Sequence, residues 1–284
     1  MATGRSGVAE LNSYFNNIYE DAVFVVREQN LMTRLVRTYT NGRGDQTRTL
    51  TTYNEITPST VAETEDYSNP TAFEKSLVST LTPAEVMSQV LLTDRRIETD
   101  PQNARDDAAR ELGMGHATAL DENLASNFAS FTAGTVGASG STMIWGYFYA
   151  AHSILRANKV PGPYVCVMHP YHWHDLGGDV AAGATATNAP DFQDQVMREW
   201  FVRRVAGVDI FVSANVSTSG SDAYSGMFSR DAIAFDLRRD FRLEPERDAS
   251  ARAWELNATM LYAHGVWRPA FGVTILADAT TPAS

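Results

Sequence analysis

Residues 169–175 read His-Pro-Tyr-His-Trp-His-Asp. Three imidazoles (His169, His172 and His174) and the Asp175 carboxylate could ligate zinc, because neutral imidazole is its usual nitrogen ligand. The spacing is that of neither a His-Glu-x-x-His helix nor a zinc-finger pair. Pro170 also interrupts any helix that would place His169 beside His172 or His174. A strand-to-helix turn with polar caps accounts for the motif better than a metal centre does.

Other chemistry fails on context. No Gly-x-Ser-x-Gly elbow occurs, and the Gly/Ser/Thr-rich run 132–141 lacks the lysine and spacing of a phosphate loop. Gly113-Met114-Gly115 follows no expected strand, which argues against a dinucleotide turn. Arg43-Gly44-Asp45 spells an integrin-type tripeptide inside an expected hairpin turn, a match better explained by chance. Asp106 and Asp107 fall on a solvated helix face, where shifted acid–base behaviour is not expected. No catalytic constellation remains, so the expectation is a protein that is not an enzyme.

The 284 residues are 44% hydrophobic and 20% charged, the balance of a globular chain with a real core. The net charge of −11 is spread along the chain and opposes wrapping of nucleic acid or docking on an anionic membrane. Lys75 and Lys159 are the only lysines among 23 cationic side chains, leaving 21 arginines. Arginine suits fixed bidentate pairs at packed interfaces, although a GC-rich source gives the same bias. Cys166 is alone, so no intrachain disulfide forms and a reducing interior suits the chain. With no long apolar run and no signal core after Met1, a soluble intracellular product is expected.

Leu11, Tyr14, Phe15, Ile18, Ala22 and Val25 have helical spacing, and the segment continues to Val36 as an arm that needs a surface to lie on. Residues 39–54, with Gly42 and Gly44, alternate like a hairpin, and residues 55–73 are polar, acidic and have almost nothing to bury. Residues 76–83 and 86–92 read as two β segments flanking a turn. The whole of 39–95 is thus an extended β excursion that must rest on a neighbour.

Asp100-Pro101 is a helix start, with an N-cap oxygen and Pro at the first position. That helix is expected to reach about Phe131, with Leu120, Leu124 and Phe128 on one face and Gly113 and Gly115 as a place to bend. A second helix carries Ile144, Phe148, Ala151 and Leu155. Residues 164–168 and 208–212 read as buried strands, 191–198 as a helix and 213–226 as a polar loop. Residues 254–266 alternate with period two, and 271–276 make a final strand.

This order of parts resembles the tailed-phage major capsid proteins of the Hong Kong 97-type fold. Residues 167–176, Val-Met-His-Pro-Tyr-His-Trp-His-Asp-Leu, look like that family's strand, Pro and short Trp-His-bearing helix. Residues 206–213, Ala-Gly-Val-Asp-Ile-Phe-Val-Ser, are similar to its Gly followed by an apolar strand. Residues 243–269, ending Val266-Trp267-Arg268-Pro269, look like its long hairpin and the Arg-Pro that leads back into the axial domain. The resemblance covers about residues 10–278; its motifs are individually weak, and their order carries it.

The resemblance implies an α+β fold with an N-terminal arm (1–38), an E-loop (39–95), a peripheral domain (96–139 and 233–267) and an axial domain (140–232 and 268–284). Asp100, Pro101, Gly113, Gly115, Pro170, Trp173, His174, Gly207, Arg268 and Pro269 are then structural or assembly residues. Gly113 and Gly115 lie in a spine helix that is bent in precursor shells and straighter after expansion. It implies a chain that forms pentamers and hexamers of a phage head around double-stranded DNA contacted non-specifically. No cofactor and no membrane are implied. The implied partners are a separate scaffolding protein with little or no cleavage of this chain, a portal protein and, in some relatives, a decoration protein. The place is the virion, after assembly in the host bacterial cytoplasm. An encapsulin-like nanocompartment shell is the alternative within the fold, and a His-ligated metalloenzyme the alternative outside it.

Some relatives join subunits through Lys–Asn isopeptide bonds, and Lys75 is the only lysine in the excursion. Flanked by Glu74 and Ser76, it reads as a solvated lysine. Boiled particles should therefore run as a single monomer band on denaturing gels. Multimer ladders that Lys75→Arg abolishes would contradict this.

Overall fold

A computed structural model describes residues 30–40, 46–64, 66–67, 70–99, 104–181 and 204–282. Two sheets, each covered by helix, share the chain, and a two-stranded ribbon projects beside them. The first sheet is built on a hairpin of β11 (Ile233–Asp248) and β12 (Ala253–Val266). An Asp248 carboxylate that accepts from the Ser250 and Ala251 amides closes its turn. β4 (Ala84–Thr93) pairs antiparallel along β12, and β1 (Arg37–Tyr39) pairs parallel with β11. Along β4, Val86, Ser88, Val90 and Leu92 face inward and Met87, Gln89 and Leu91 outward, the period-two pattern of a half-covered sheet.

The cover is α3 (Ala104–Ala125), whose Ala108, Ala109, Leu112, Leu120 and Leu124 are buried against Leu243, Leu256, Ala258 and Met260. Its helix ends earlier than the spacing predicts. Residues 126–130 tighten into a 3-10 turn and Phe131 is extended, so Phe128 and Phe131 swing from the first sheet to the second. The short helices α1 (Met32–Leu35) and α2 (Asp94–Thr99) flank the first sheet. Asp100 and Pro101 lie outside the described residues, as do 1–29 with the expected arm helix, Arg43-Gly44-Asp45 and the expected helix 191–198.

The second sheet has the order β5 (Thr135–Gly137), β13 (Gly272–Asp278), β10 (Asp222–Ser229), β6 (Tyr164–Met168), β8 (Val208–Val212), β7 (Arg204–Val205), with β9 (Thr218–Ser219) on β10. Helix α4 (Trp145–Ala157) buries Trp145, Phe148, Ala151 and Leu155 on it, and α5 (Pro170–Ala181) buries Leu176. Ile144 is instead the exposed residue before α4. The expected polar loop 213–226 conceals the central strand β10. Its Ser225 and Ser229 are buried but hydrogen-bonded, which is why its composition reads as loop.

Phe128, Phe131 and Phe228 form the joint between the sheets, with ring centroids 5.4–5.9 Å apart. The strands make room with glycine: a Cβ on Gly226 would stand 2.8 Å from the Phe128 ring, and one on Gly272 2.5 Å from Phe131. Such overpacking costs about 1–3 kcal/mol per site.

Two expected hairpins are absent. β1 and β2 (Arg48–Tyr53) do not pair with each other, because β1 joins β11. β3 (Lys75–Leu81) pairs with β2 rather than with β4, which Pro83 separates from it and which joins β12. Pro cannot donate to a ladder, and here it marks the change of sheet.

Polar contacts pin α3 to its sheet. The His116 ring is buried, accepts from Ser88 Oγ at 2.9 Å, donates to the Ala258 backbone and meets Phe241 edge-on at 5.3 Å. Burial lowers its pKa from 6.5, partly offset by the Ala258 hydrogen bond. The folded chain therefore resists a proton that the unfolded chain takes up, so stability falls as pH drops below 6.5 and levels off below the folded pKa. His152, His169, His172 and His264 are lowered by burial as well and add the same sign. Denaturant midpoints measured between pH 7.5 and pH 5, as order-of-magnitude bounds on this window, should decline for the wild type and decline less for His116→Gln. Equal slopes would show that the His116 pKa is the same in the folded and unfolded chains.

Candidate assembly interface

The ribbon β2–β3 has little core of its own. Leu50 and Leu81 are buried, and they bury against Ala234 and Ala263 of the first sheet. Gly265 on β12 lets Leu81 in, since a Cβ there would lie 2.7 Å from its Cδ2. Around this contact is a clamp of cations and rings. The Arg48 guanidinium lies 4.7 Å over Tyr39, and that of Arg37 lies 4.9 Å over Trp267. Trp267 Nε1 donates to the Thr51 carbonyl at 3.2 Å. Under them sits Asp236, fully buried, 2.7 Å from Arg238 Nε and 3.1 Å from Arg48 Nη2. The Arg48 pair is an ion pair without hydrogen-bond alignment, since Asp236 Oδ1 has no directed donor. Loss of Asp236 would take from Arg238 and Arg48 the one carboxylate they share, whereas loss of Arg48 would leave Asp236 paired with Arg238.

Beyond this root the ribbon has no cover from the rest of the described chain. Tyr53 and Phe73 stack face to face at 4.6 Å, and the Asn54 amide bridges Ala72 and Glu74. Yet Phe73 is 64% and Leu77 62% exposed, and Tyr53, Ile56, Val61 and Tyr67 are also open to solvent. The segment that reads as having almost nothing to bury is in fact studded with apolar side chains awaiting a partner. A fixed root and an uncovered apolar tip make a docking arm.

The His169–Asp175 motif is architecture. Pro170 opens α5, where its missing N–H costs nothing. His172 is fully buried: Nε2 donates to the Ala277 carbonyl at 3.1 Å, and Nδ1 accepts from Ser225 Oγ at 2.7 Å. That hydroxyl also takes the His169 amide at 3.2 Å, so one imidazole ties α5 to β10 and β13. Burial lowers its pKa, opposed by the Ala277 hydrogen bond and nearby carboxylates. Trp173 packs on the second core, while His174 is exposed, 3.5 Å from Asp175. Among the described residues no group of His, Cys, Asp or Glu converges as a metal site. Cys166 is buried, and burial pushes its thiol up, so it is inert.

Ala206 (φ +52°) and Gly207 (φ +82°) form the two-residue turn between the paired Val205 and Val208, the left-handed pair that a tight hairpin requires. At Arg268-Pro269 the chain crosses from β12 to β13, with the Arg268 guanidinium 4.9 Å from both the Trp267 and Phe271 rings. Gly113 is buried and Gly115 exposed, both within the continuous helix α3. Sequence reasoning missed Asp121. Almost fully buried, it accepts the Leu31 and Met32 amides at 3.2 and 3.1 Å and ties the described N-terminal segment to α3. Burial raises its pKa against those hydrogen bonds. It missed Asp236 too, because a single Asp in a strand has no local signature.

Comparison with solved structures finds the same fold. A protein of Mycobacterium phage Che8 superposes with TM-score 0.69 at 17% identity over 87% of this chain and 90% of its own. The capsid of Ralstonia phage GP4 gives 0.67 at 13% over 90% and 89%. A virus-like particle from Pyrococcus furiosus gives 0.60 at 11% over 92% and 99%. No curated protein matches the sequence. A family model described as phage capsid protein matches residues 88–275, about two thirds of the sequence. With its two helix-covered sheets and projecting ribbon of Hong Kong 97 type, the chain belongs to the phage capsid protein family.

Proposed function

We propose that this chain is the major subunit of a tailed-phage head and assembles as pentamers and hexamers into an icosahedral or prolate shell around double-stranded DNA. The observation that carries this is the rigidly rooted ribbon with its exposed apolar tip, in a chain of the phage capsid family. Large apolar groups held open on a clamped arm bury their area only against other subunits, and head-to-tail contacts around an axis close into rings. In this reading the E-loop is the ribbon from about residue 46 to 81, and β4 joins α3, β11 and β12 in the peripheral domain. The second sheet with α4 and α5 is the axial domain. A separate scaffolding protein, a portal and, where present, a decoration protein complete the head, with assembly in the host cytoplasm and the virion as destination. A nanocompartment shell is the alternative reading within the same fold.

Negative-stain microscopy of the purified chain, alone and with its candidate scaffold, should show closed shells; a monodisperse monomer under both conditions would overturn the reading. Replacing residues 55–72 by a short Gly/Ser turn should leave the unfolding midpoint nearly unchanged, since that segment covers no core, and abolish particles. Normal shells from this variant would show that the tip is not the link.

Gly113 and Gly115 are proposed as the bend of the spine helix. A Cβ on Gly115 meets nothing within 4 Å, so alanine there is free of steric cost. Gly113→Ala/Gly115→Ala should favour the straight helix by about 1–2 kcal/mol per chain. Precursor shells should then be unstable or expand without DNA. An equally bent helix in normal precursors, seen by cryo-electron microscopy, would remove the glycines from that role.

A further inference from the structure

A surface hollow of about 560 Å³ lies at the edge of the second sheet, between the C-terminal end of α4 and the β7–β8 turn. Arg156, Lys159 and Arg204 rim it, and Val160, Pro163, Tyr164 and Ala206 make its apolar floor. In a chain of net charge −11, three cations converge here. Among the described residues the one carboxylate paired with any of them is Asp209, 3.4 Å from Arg204 Nε, and both of those groups are largely exposed.

The rim is held in place. Arg156 lies 5.8 Å over the Tyr164 ring, and Arg204 Nε also donates to the Gly207 carbonyl at 3.4 Å. Lys159 sits just past the end of α4 with φ +54°, and Ala206 has φ +52°; they are two of the three described non-glycine residues with left-handed backbone. The cap places Lys159 and Arg156 beside the negative end of the α4 dipole, which favours their charge.

We propose that this hollow receives the ribbon tip, residues 54–74, of a second copy of the chain. The proposal rests on the reading of this protein as a shell subunit and names the surface on which its arm docks. Charge and shape choose the occupant. The tip carries Glu55, Glu63, Asp66 and Glu74, all exposed, interleaved with the exposed Ile56, Val61, Tyr67 and Phe73. A basic rim over an apolar floor complements that pattern on both counts. Duplex phosphates are held by cations through counterion release, a contact to which an apolar floor adds nothing.

A charge swap tests this. Arg156→Glu/Lys159→Glu reverses the rim, Glu63→Arg/Asp66→Arg reverses the tip, and a third chain carries all four changes. The four native side chains are exposed, and circular dichroism with thermal unfolding verifies that each chain folds. Each reversed pair should cut the sedimenting particle yield about tenfold or more through facing like charges, and the four-fold variant should regain most of it. In parallel, carbodiimide treatment of wild-type particles should couple Lys159 to Glu55, Glu63 or Asp66 of a neighbour. With only two lysines in the chain, the coupled peptides identify themselves by mass. Rim-reversed chains that assemble at wild-type yield would overturn the docking and leave the shell reading standing, as would a four-fold variant that folds but regains nothing. Rim-reversed shells that form normally but hold less DNA would assign the hollow to nucleic acid instead. Wild-type chains that form no oligomer at all would overturn both readings.

Discussion

A two-stranded ribbon cannot make a core, and most of what is particular to this chain follows from that limit. Leu50 and Leu81 are the ribbon's fully buried apolar residues, and they are buried against another sheet. The described residues past them project. The ribbon must therefore be fixed at the root by forces other than its own packing. The Arg48–Tyr39 and Arg37–Trp267 stacks, the Trp267 bond to Thr51 and the buried Asp236 supply them. Arginine suits this work because its planar head stacks on a ring and bonds a carboxylate at once. The arginine excess of the composition finds part of its explanation there.

The same demand for rigidity governs the joint between the sheets. If the ribbon is to hold a neighbour in register, the sheet that carries it must not drift against the sheet beside it. Phe128 and Phe131 leave the end of α3 and lodge against Phe228, over glycines that leave no spare volume. Close-packed aromatics of this kind pass strain rather than absorb it. The buried Asp121, on the same helix, adds the N-terminal segment to that unit. Helix α3 thus joins three parts of the chain.

Elements with a local apolar signature were legible in the sequence: α4 and β12 lie close to where periodicity puts them, and β6, β8 and β13 where short apolar runs do. Those set by long-range pairing were not. β10 is buried along nearly its whole length, yet Ser225, Ser229 and Gly226 gave it the texture of a loop, because its hydrogen-bond partners are supplied by residues more than fifty positions away. The swap of partners at Pro83 was equally hidden, since β3 and β4 read as a local hairpin until β12 and β2 compete for them. Site residues divide likewise. Gly207 and Pro170 carry local backbone requirements and could be found; Asp121 and Asp236 answer partners far along the chain and could not.

The histidine motif shows how a dense cluster of ligand-type residues becomes structural. A metal site needs lone pairs pointing at one empty point. Here helix α5 turns His172 inward and His174 outward, and the His172 nitrogens are both engaged, one by a carbonyl that can only accept. The Ala277 carbonyl fixes Nε2 as the donor, burial disfavours a second proton on the ring, and the Ser225 hydroxyl completes the chain of bonds through the His169 amide. A charged side chain in that position would carry a desolvation cost, and an apolar one would orphan the Ser225 hydroxyl. Imidazole is the group that offers one donor and one acceptor on opposite sides of a flat, largely apolar ring, which is what the space between a helix and two strands demands.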